Sequence, residues 1–391
     1  MSFNWSVCIP LVGGFPLGVE KYTGKKPDWI STYPGFSYHD SHYINHLQKN
    51  GWSGDIYDMS KESSVGSRPD VVISVCPCAG LSSLSVSSGS DKEHNDWMIK
   101  SSDWVLENSR PEILIGENAP RLASASGEGV KNRLLEIARK HGYGLSLYKT
   151  KSEHHGSNQI RSRCYFAFVR GSAAKFKKFR KEQFIFEDEV FTGTHSDDKM
   201  DFPINTNNVF EDPWIRNALE IEGLSGLQEL YERCGTSRNL KGLAIDSIDK
   251  SINFMEKNSF HKIKDRLIKD KVKMESGGGL WLHGFPTIIN TTINKSYGTF
   301  VAGLSENMIN HKEDRFITYR EAIRSMGMPD NFDLLDFKDV NILSQNVCVE
   351  VAENMAEACE DVLNGIGRTN YEEYTTNNNK LDKEYEDLGL I

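Results

Sequence analysis

Three short motifs follow one another along this 391-residue chain: Cys76-Pro77-Cys78, Glu117-Asn118 and Gln159-x-Arg161-x-Arg163. They supply a thiol, a carboxyl and two guanidiniums, in an order that points to chemistry on a pyrimidine base. A cysteine thiolate can add to C6 of cytosine, which turns C5 into an enamine-like nucleophile able to attack an electrophilic carbon. The addition needs N3 protonated or strongly hydrogen-bonded, a task for a buried carboxyl, and Glu117 is the candidate. Positive charge is needed against O2 of the base and a neighbouring phosphate. Arg161 and Arg163, one residue apart on an extended segment, can both point into one cleft. Taken singly, Cys78 reads as a small buried hydrophobe, Glu117 as a surface carboxylate and the arginines as salt-bridge formers. The ordered combination argues for chemistry. Cys76 and Cys78 form a CxC pair with no second Cys/His pair at zinc spacing nearby, so no metal site is expected.

These residues need a frame that presents them together. Val71-Val72-Ile73-Ser74-Val75 reads as a buried strand, which puts Pro77-Cys78 just past its carboxyl end, where open α/β sheets keep their ligands. Ile113-Leu114-Ile115-Gly116 does the same for Glu117. Strand and helix patterns alternate to about residue 170, predicting a parallel sheet with crossover helices. Val130 to His141 is predicted helical, with Leu134, Leu135, Ile137 and Ala138 at helical spacing and Gly142 as its stop. Tyr165 to Val169 is a predicted strand.

From about 183 to 312 the periodicity loosens, with a helix expected at Pro213 to Cys234 and a hinge at Gly277-Gly278-Gly279. Helical pattern returns at Thr318 to Met326, ended by Gly327 and Pro329, and at Val347 to Leu363. The expected organisation is a catalytic and cofactor-binding domain at 1–182, a smaller target-recognition domain at 183–312, a return of the first domain at 313–367, and a disordered tail at 368–391.

Composition narrows the class. The chain is 38% hydrophobic, enough for a substantial core and two domains, and has no run of about 18 apolar residues or signal-like N-terminus. A soluble cytoplasmic protein is expected, with no membrane partner. Seven cysteines without framework spacing suit a reducing compartment. A net charge of −9 argues against nonspecific coating of nucleic acid but not against a local basic cleft. Two basic stretches stand out: Lys175 to Lys181, and Lys257 to Lys273 with Lys262, Lys264 and Arg266.

With these motifs in place, the chain resembles the DNA cytosine-5 methyltransferases, a family marked by a Pro-Cys loop, Glu-Asn and Gln-x-Arg-x-Arg in that order. The resemblance runs over roughly residues 5 to 365. Val12-Gly13-Gly14-Phe15-x-x-Gly18 is similar to the glycine-rich motif that approaches S-adenosylmethionine, and the resemblance implies that Phe15 stacks on its adenine. Gly54-Asp55-Ile56 is similar to the motif whose Asp bonds the adenine amino group. Arg315 to Glu321 followed by Met326-Gly327-Met328-Pro329-Asp330, and Ser344-Gln345-Asn346-Val347, resemble the last two motifs. Pro286-Thr287 resembles the end of a target-recognition region. The texture of Pro77-Cys78-Ala79-Gly80-Leu81-Ser82, and of His155-Gly156 ahead of Gln159, is closest to phage-encoded members; in that case the location is the host cytoplasm.

The resemblance implies a Rossmann-like α/β fold that transfers methyl from S-adenosylmethionine to C5 of cytosine in double-stranded DNA, flipping the base out. It makes Cys78 the nucleophile, puts Glu117 on N3 and Arg163 on O2, and has Asn118 orient the Pro-Cys turn. Arg161 and Ser82 hold the loop and a phosphate. Gly13, Gly14, Phe15, Asp55, Ile56, Asn346 and Val347 would serve the cofactor, and Lys262, Lys264, Arg266 and Thr287 the DNA. A monomer is expected; a partner nuclease is left open. The chain departs from the family pattern in the first motif, where Cys8-Ile9-Pro10-Leu11-Val12 lacks one glycine and one acid. It departs again after the second strand, where Thr32-Tyr33-Pro34-Gly35 stands in place of the acid for the ribose hydroxyls; Asp40 lies a little further on. Gln345 replaces a glycine. Two other readings stay open: an RNA cytosine methyltransferase, with Cys76 as a second thiol, and a silent DNA-binding relative.

Overall fold

A computed structural model describes residues 2–76, 80–81, 94–157, 159, 161–181, 190–191, 198–234, 238–280, 287–288, 308–334 and 340–380. The chain divides into two units. The first comprises Met1–Gln183, Met326–Leu335 and Gln345–Ile391, and the second Phe184–Ser325 and Asp336–Ser344.

In the first unit the chain runs β1 (Trp5–Cys8), α1 (Gly14–Thr23), β2 (Trp29–Thr32), α2 (Ser37–Lys49), β3 (Asp55–Asp58), β4 (Val71–Val75), α3 (His94–Asn108), β5 (Ile113–Asn118), α4 (Glu128–His141), β6 (Tyr143–Lys151) and β7 (Ser162–Arg170). In the second it runs α5 (Pro213–Glu222), α6 (Leu227–Cys234), β8 (Arg238–Asn239), α7 (Leu240–Asp246), α8 (Ile248–Lys257), α9 (His261–Glu275), β9 (Thr287–Ile288), β10 (Met308–Asn310), β11 (Arg315–Phe316) and α10 (Tyr319–Arg324). It then returns to the first unit with α11 (Val349–Leu363) and β12 (Glu373–Asn377).

Among the described residues eight strands form one sheet, in the order β12-β6-β7-β5-β4-β1-β2-β3. All five residues of β4 are buried, as a central strand covered on both faces requires. The chain leaves β1 toward β2 and β3, then crosses back to β4 on the other side of β1, with parallel pairing throughout. That reversal is the topological switch point, and ligands of such sheets bind outside the carboxyl ends of the strands beside it. The prediction of parallel strands to residue 170 fails at β7, which is antiparallel to both β5 and β6. The reason is length: the stretch between Lys151 and Ser162 is too short for a crossover helix.

The local signals worked elsewhere. The inner face of α4 is Val130, Leu134, Ile137 and Ala138, and Gly142 ends the helix with φ +76. The tail expected to be disordered instead supplies β12, paired in parallel with β6 from Glu373↔Leu145 to Asn377↔Lys149. Its charge-rich composition hid the β-prone run Tyr374-Thr375-Thr376, which covers an otherwise open sheet edge. Residues 381–391 lie outside the description.

In the second unit a small sheet has the order β11-β10-β9-β8, beside helices that bury Trp214, Leu230, Leu240, Phe254 and Met255. The single helix expected over Pro213 to Cys234 is two, because Gly223 caps α5 in the left-handed conformation. Asp212 starts α5 by accepting the N–H groups of Trp214 and Ile215, with Pro213 at the first position. Thr318 and Glu321 form a capping box on α10, which belongs to the second unit, so the return to the first unit falls at Met326 rather than 313. No helix among the described residues is long and apolar enough to cross a membrane.

Candidate active site

Strand β4 delivers the chain toward the Pro-Cys motif. Pro77, Cys78 and Ser82 themselves lie outside the described residues, so the motif is known here through its flanks. On one side Cys76 is buried, with its Sγ 3.2 Å from Ser74 Oγ and 3.5 Å from Ser101 Oγ, and burial pushes its thiol above the ordinary range. It ends the strand as a buried polar-bonded thiol, a poor second nucleophile. On the other side Gly80 passes Asn95 of α3 so closely that a Cβ would sit 2.3 Å from Asn95 Oδ1.

Glu117 stands level with the end of β4, since Val75 pairs with Glu117 across the parallel strands. It is 2% exposed. From the other side β7 brings Tyr165 directly opposite Glu117, and Arg163, two residues away, reaches it diagonally. Arg163 Nε and Glu117 Oε1 form a buried ion pair. Asn118 turns its Oδ1 to the Ala119 N–H at 2.8 Å and its Nδ2 toward Met98 Sδ.

Ser152 holds the Gln-x-Arg-x-Arg segment. Its N–H donates to Arg161 O at 2.9 Å, and its Oγ accepts the Arg161 N–H at 2.7 Å while donating to Gln159 O. Arg161 and Gln159 are buried. The structure therefore brings Glu117, Asn118, Arg161 and Arg163 to the carboxyl end of β5 and the start of β7.

One support was not legible in the motifs. His155 Nε2 lies 2.7 Å from Thr150 Oγ1, and Asn354 Nδ2 donates to its Nδ1 at 3.1 Å. That donation leaves the ring proton on Nε2, directed at Thr150, and burial lowers the His155 pKa to about 3. Asn378, just past β12, donates to Thr150 Oγ1 at 3.0 Å and accepts the Phe179 N–H at 3.2 Å. The signal for Asn354 is its place as the polar residue among the buried positions of the amphipathic α11.

At the β1–α1 turn the structure gathers four of the residues assigned to the cofactor. Gly14 donates its N–H to Asn346 Oδ1 at 2.8 Å, Gly13 precedes it with φ +120, and a Cβ on Gly14 would stand 1.9 Å from Val347 O. Here the missing side chain makes room for the protein's own backbone. Phe15 does not fit the stacking role. It is buried, with its ring edge-on to Tyr165 at 5.7 Å, because the second position of α1 faces the sheet. Asp55 and Ile56 lie at a surface, Ile56 42% exposed, but they open β3 level with Trp29 and Ile30, at the amino end of the strand rather than the carboxyl end that borders the β1–α1 turn.

Asp40 is not at the surface. Its Oδ1 accepts the Leu11 N–H at 2.9 Å, its Oδ2 accepts the Thr32 hydroxyl, and burial raises its pKa to about 7.

In the second unit the three basic residues assigned to DNA do not share one surface. Lys264 pairs with Glu256 of α8 and Lys271 with Asp249 at 2.6 Å. Lys262 and Arg266 are exposed, in helical line with exposed Lys269 and Lys273. Thr287 opens β9, with its backbone paired to Met308 and Asn239. In the other basic stretch two cations are paired, Lys177 with Glu357 and Asp361 at 2.8 and 2.7 Å and Lys181 with Glu357 at 3.5 Å.

Comparison with known proteins agrees with this frame. A prophage-encoded protein of E. coli described as a DNA modification methyltransferase matches 93% of this chain and 100% of its own, at 16% identity and a TM-score of 0.57. A Spodoptera frugiperda DNMT2 variant matches 92% and 100% at 11% identity and TM-score 0.51, and the Entamoeba histolytica methyltransferase EhMeth 93% and 99% at 14% and 0.50. At such identities these likenesses concern the fold. No curated protein sequence matches the chain. The family model for C-5 cytosine-specific DNA methylases matches residues 11–361, a span that includes Glu117-Asn118, Arg161, Arg163 and Asn346, and the chain belongs to that family.

Proposed function

We propose that the protein transfers a methyl group from S-adenosylmethionine to C5 of cytosine in double-stranded DNA, through a bond between Cys78 and C6 of a base turned out of the duplex. The observation that carries this reading is the buried Glu117–Arg163 pair at the end of β5, level with the strand that leads to Cys78. Family membership supports cytosine-5 methylation, and the prophage-encoded neighbour supports DNA.

In this reading the Cys78 thiolate attacks C6 while Glu117 secures N3. Arg163 holds one oxygen of Glu117, so the carboxyl meets the base in a fixed orientation. Electron density moved into the ring develops at O2 and N3, and a base seated on Glu117 would bring both within reach of the Arg163 guanidinium paired with that carboxylate. C5 would then take the methyl group with release of S-adenosylhomocysteine, the C5 proton would pass to a water molecule, and the C6–S bond would break to restore the aromatic ring and the thiolate. A duplex hides these atoms, and turning the base out costs a few kcal/mol.

When bound, S-adenosylmethionine supplies an electrophilic methyl group. The fit lies at the carboxyl ends of the strands: Asp58, which ends β3 level with Thr32, offers a carboxylate to an adenine amino group, whereas Asp55 and Ile56 open that strand at its amino end and do not reach the crevice. Tyr33, whose ring lies edge-on to Trp97 at 5.0 Å, is better placed than Phe15 to flank the adenine.

The second unit serves as the target-recognition domain, with phosphate contacts from Lys262, Arg266, Lys269 and Lys273 along one face of α9. Buried Cys76 gives no support to a second reactive thiol of the kind an RNA enzyme could use.

Nucleoside mass spectrometry of DNA and RNA from cells expressing wild type or Cys78→Ser tests the reading. 5-Methylcytosine in DNA that disappears with Cys78→Ser is expected. Methylation confined to RNA, a different cytosine mass, or none in either nucleic acid would each overturn it.

A further inference from the structure

The β1–α1 loop and the end of β2 meet on one carboxylate. Leu11 turns the loop with φ +49 and Ile9, two residues earlier, has φ +53, backbone that suits glycine and is rare for a β-branched residue. Such conformations persist where the surroundings over-determine them, and they cluster at ligand sites. The restraint on Leu11 is its N–H bond to Asp40 at 2.9 Å; Ile9 is tied by its N–H to Ser31 O at 2.8 Å. Asp40 also takes the hydroxyl of Thr32, the last residue of β2, and has no exposed surface. Burying a carboxyl costs free energy unless its bonds return it, and here both bonds fall on loops at the carboxyl ends of β1 and β2 beside the switch point. These are also two segments where the sequence departs from the family pattern: Leu11 lies in the run Cys8 to Val12 that lacks a glycine and an acid, and Thr32 opens the segment where the ribose acid is missing.

We propose that Asp40 is a positioning residue of the cofactor crevice: it holds Leu11 in its left-handed turn and aims the Thr32 hydroxyl, so that one carboxylate makes up for both departures. The inference rests on the S-adenosylmethionine reading above. Asp40 acts through Leu11 and Thr32, without touching the reacting atoms.

The test is calorimetric titration of S-adenosylhomocysteine into the full chain and its variants, with folding followed by thermal melting. Asp40→Ala is expected to weaken binding about ten- to a hundredfold, the range given by loss of a charge-assisted hydrogen bond. Asp40→Asn, whose amide oxygen still accepts from Leu11, should lose less. Leu11→Gly added to Asp40→Ala should recover most of the affinity, because glycine adopts positive φ without help. In turnover assays the KM for S-adenosylmethionine should rise with little change in kcat. Wild-type affinity in folded Asp40→Ala, or an equal loss with and without Leu11→Gly, would show a packing role only and overturn the inference. If Asp40→Ala does not fold, Asp40→Asn with and without Leu11→Gly carries the same comparison. A wild type that takes up no S-adenosylhomocysteine would overturn the cofactor reading itself, a result distinct from the others.

Discussion

Arg163 reaches Glu117 along the diagonal of an antiparallel strand pair, two residues from the direct cross-strand partner Tyr165. The Glu117 side chain is 3% exposed and that of Arg163 16%, so each charge is the other's main substitute for water. A pair of this kind serves orientation better than stability: replacing both partners by apolar groups is often neutral, whereas removing one leaves a charge buried alone.

Arg163→Ala should therefore destabilise the first unit by about 3–5 kcal/mol, the cost of orphaning a buried partner. Arg163→Lys keeps the charge but loses the planar fork, and should fold better while still turning over slowly. Urea unfolding followed beside single-turnover rates separates the two effects. Equal stability of wild type and Arg163→Ala would mean that water already solvates Glu117.

Glu117→Gln should lower the single-turnover rate by at least about a hundredfold, the usual contribution of a side chain positioned on the proton-bearing edge of the reacting base. DNA affinity should hold within a few-fold. A loss confined to affinity would make Glu117 a structural residue.

The pH dependence of stability carries signatures of opposite sign. Asp40 has its folded pKa raised by burial to about 7, so the folded state binds more protons than the unfolded one between roughly pH 4 and 7. Its contribution is full below pH 4 and is lost as pH rises through 7. His155, lowered by burial to about 3, does the reverse: its contribution is full above about 6.5 and is lost as pH falls. Denaturation midpoints between pH 5 and 8 should fall less steeply with rising pH in Asp40→Asn than in wild type. Identical slopes would place the titration elsewhere, with Glu350, raised by burial to about 7, as the next group to replace.

The face of α9 makes a separate prediction. Each phosphate contact contributes about 0.9 to the slope of log K against log salt. Replacing Lys262, Lys269 and Lys273 together by Gln should thus reduce the slope for duplex DNA by about 3. Lys264→Gln, which removes a cation already paired with Glu256, should leave it nearly unchanged. A triple variant with the wild-type slope would return this face to bulk solvent.

Asn378 ties the chain after β12 to Thr150 and Phe179. Asn378→Ala should cost about 1–3 kcal/mol, the penalty for leaving buried groups unpaired. Hydrogen exchange should quicken first in β12 and the Ser152–His155 turn. Exchange confined to the tail would uncouple it from the arginine segment.

Much of this architecture could be read from short-range signals. β4 and β5 announce themselves as apolar runs too short for helices, and α4 carries both its inner stripe and its glycine stop. Glu117 and the arginines follow from position relative to those strands. What stayed hidden depends on long-range contact. Phe15 looked like a platform beside a glycine pair, but its helix turns it inward. Asp40 sits on a helix with no clean apolar stripe, and only the fold reveals its bonds to Leu11 and Thr32. Lys262 and Lys264 are neighbours in sequence yet lie on different faces of α9, a difference that helical geometry decides.

The bond from Gly14 to Asn346 spans 332 residues. A ribosome adding roughly 5–20 residues per second needs about 17–66 s to make that stretch. Throughout that interval the first loop of the nascent chain lacks the side chain that fixes it. Products of premature termination between Arg163 and Asn346 would therefore carry the Pro-Cys, Glu-Asn and Arg motifs without the side chain that fixes the β1–α1 loop, a full set of chemical groups on an unfinished frame.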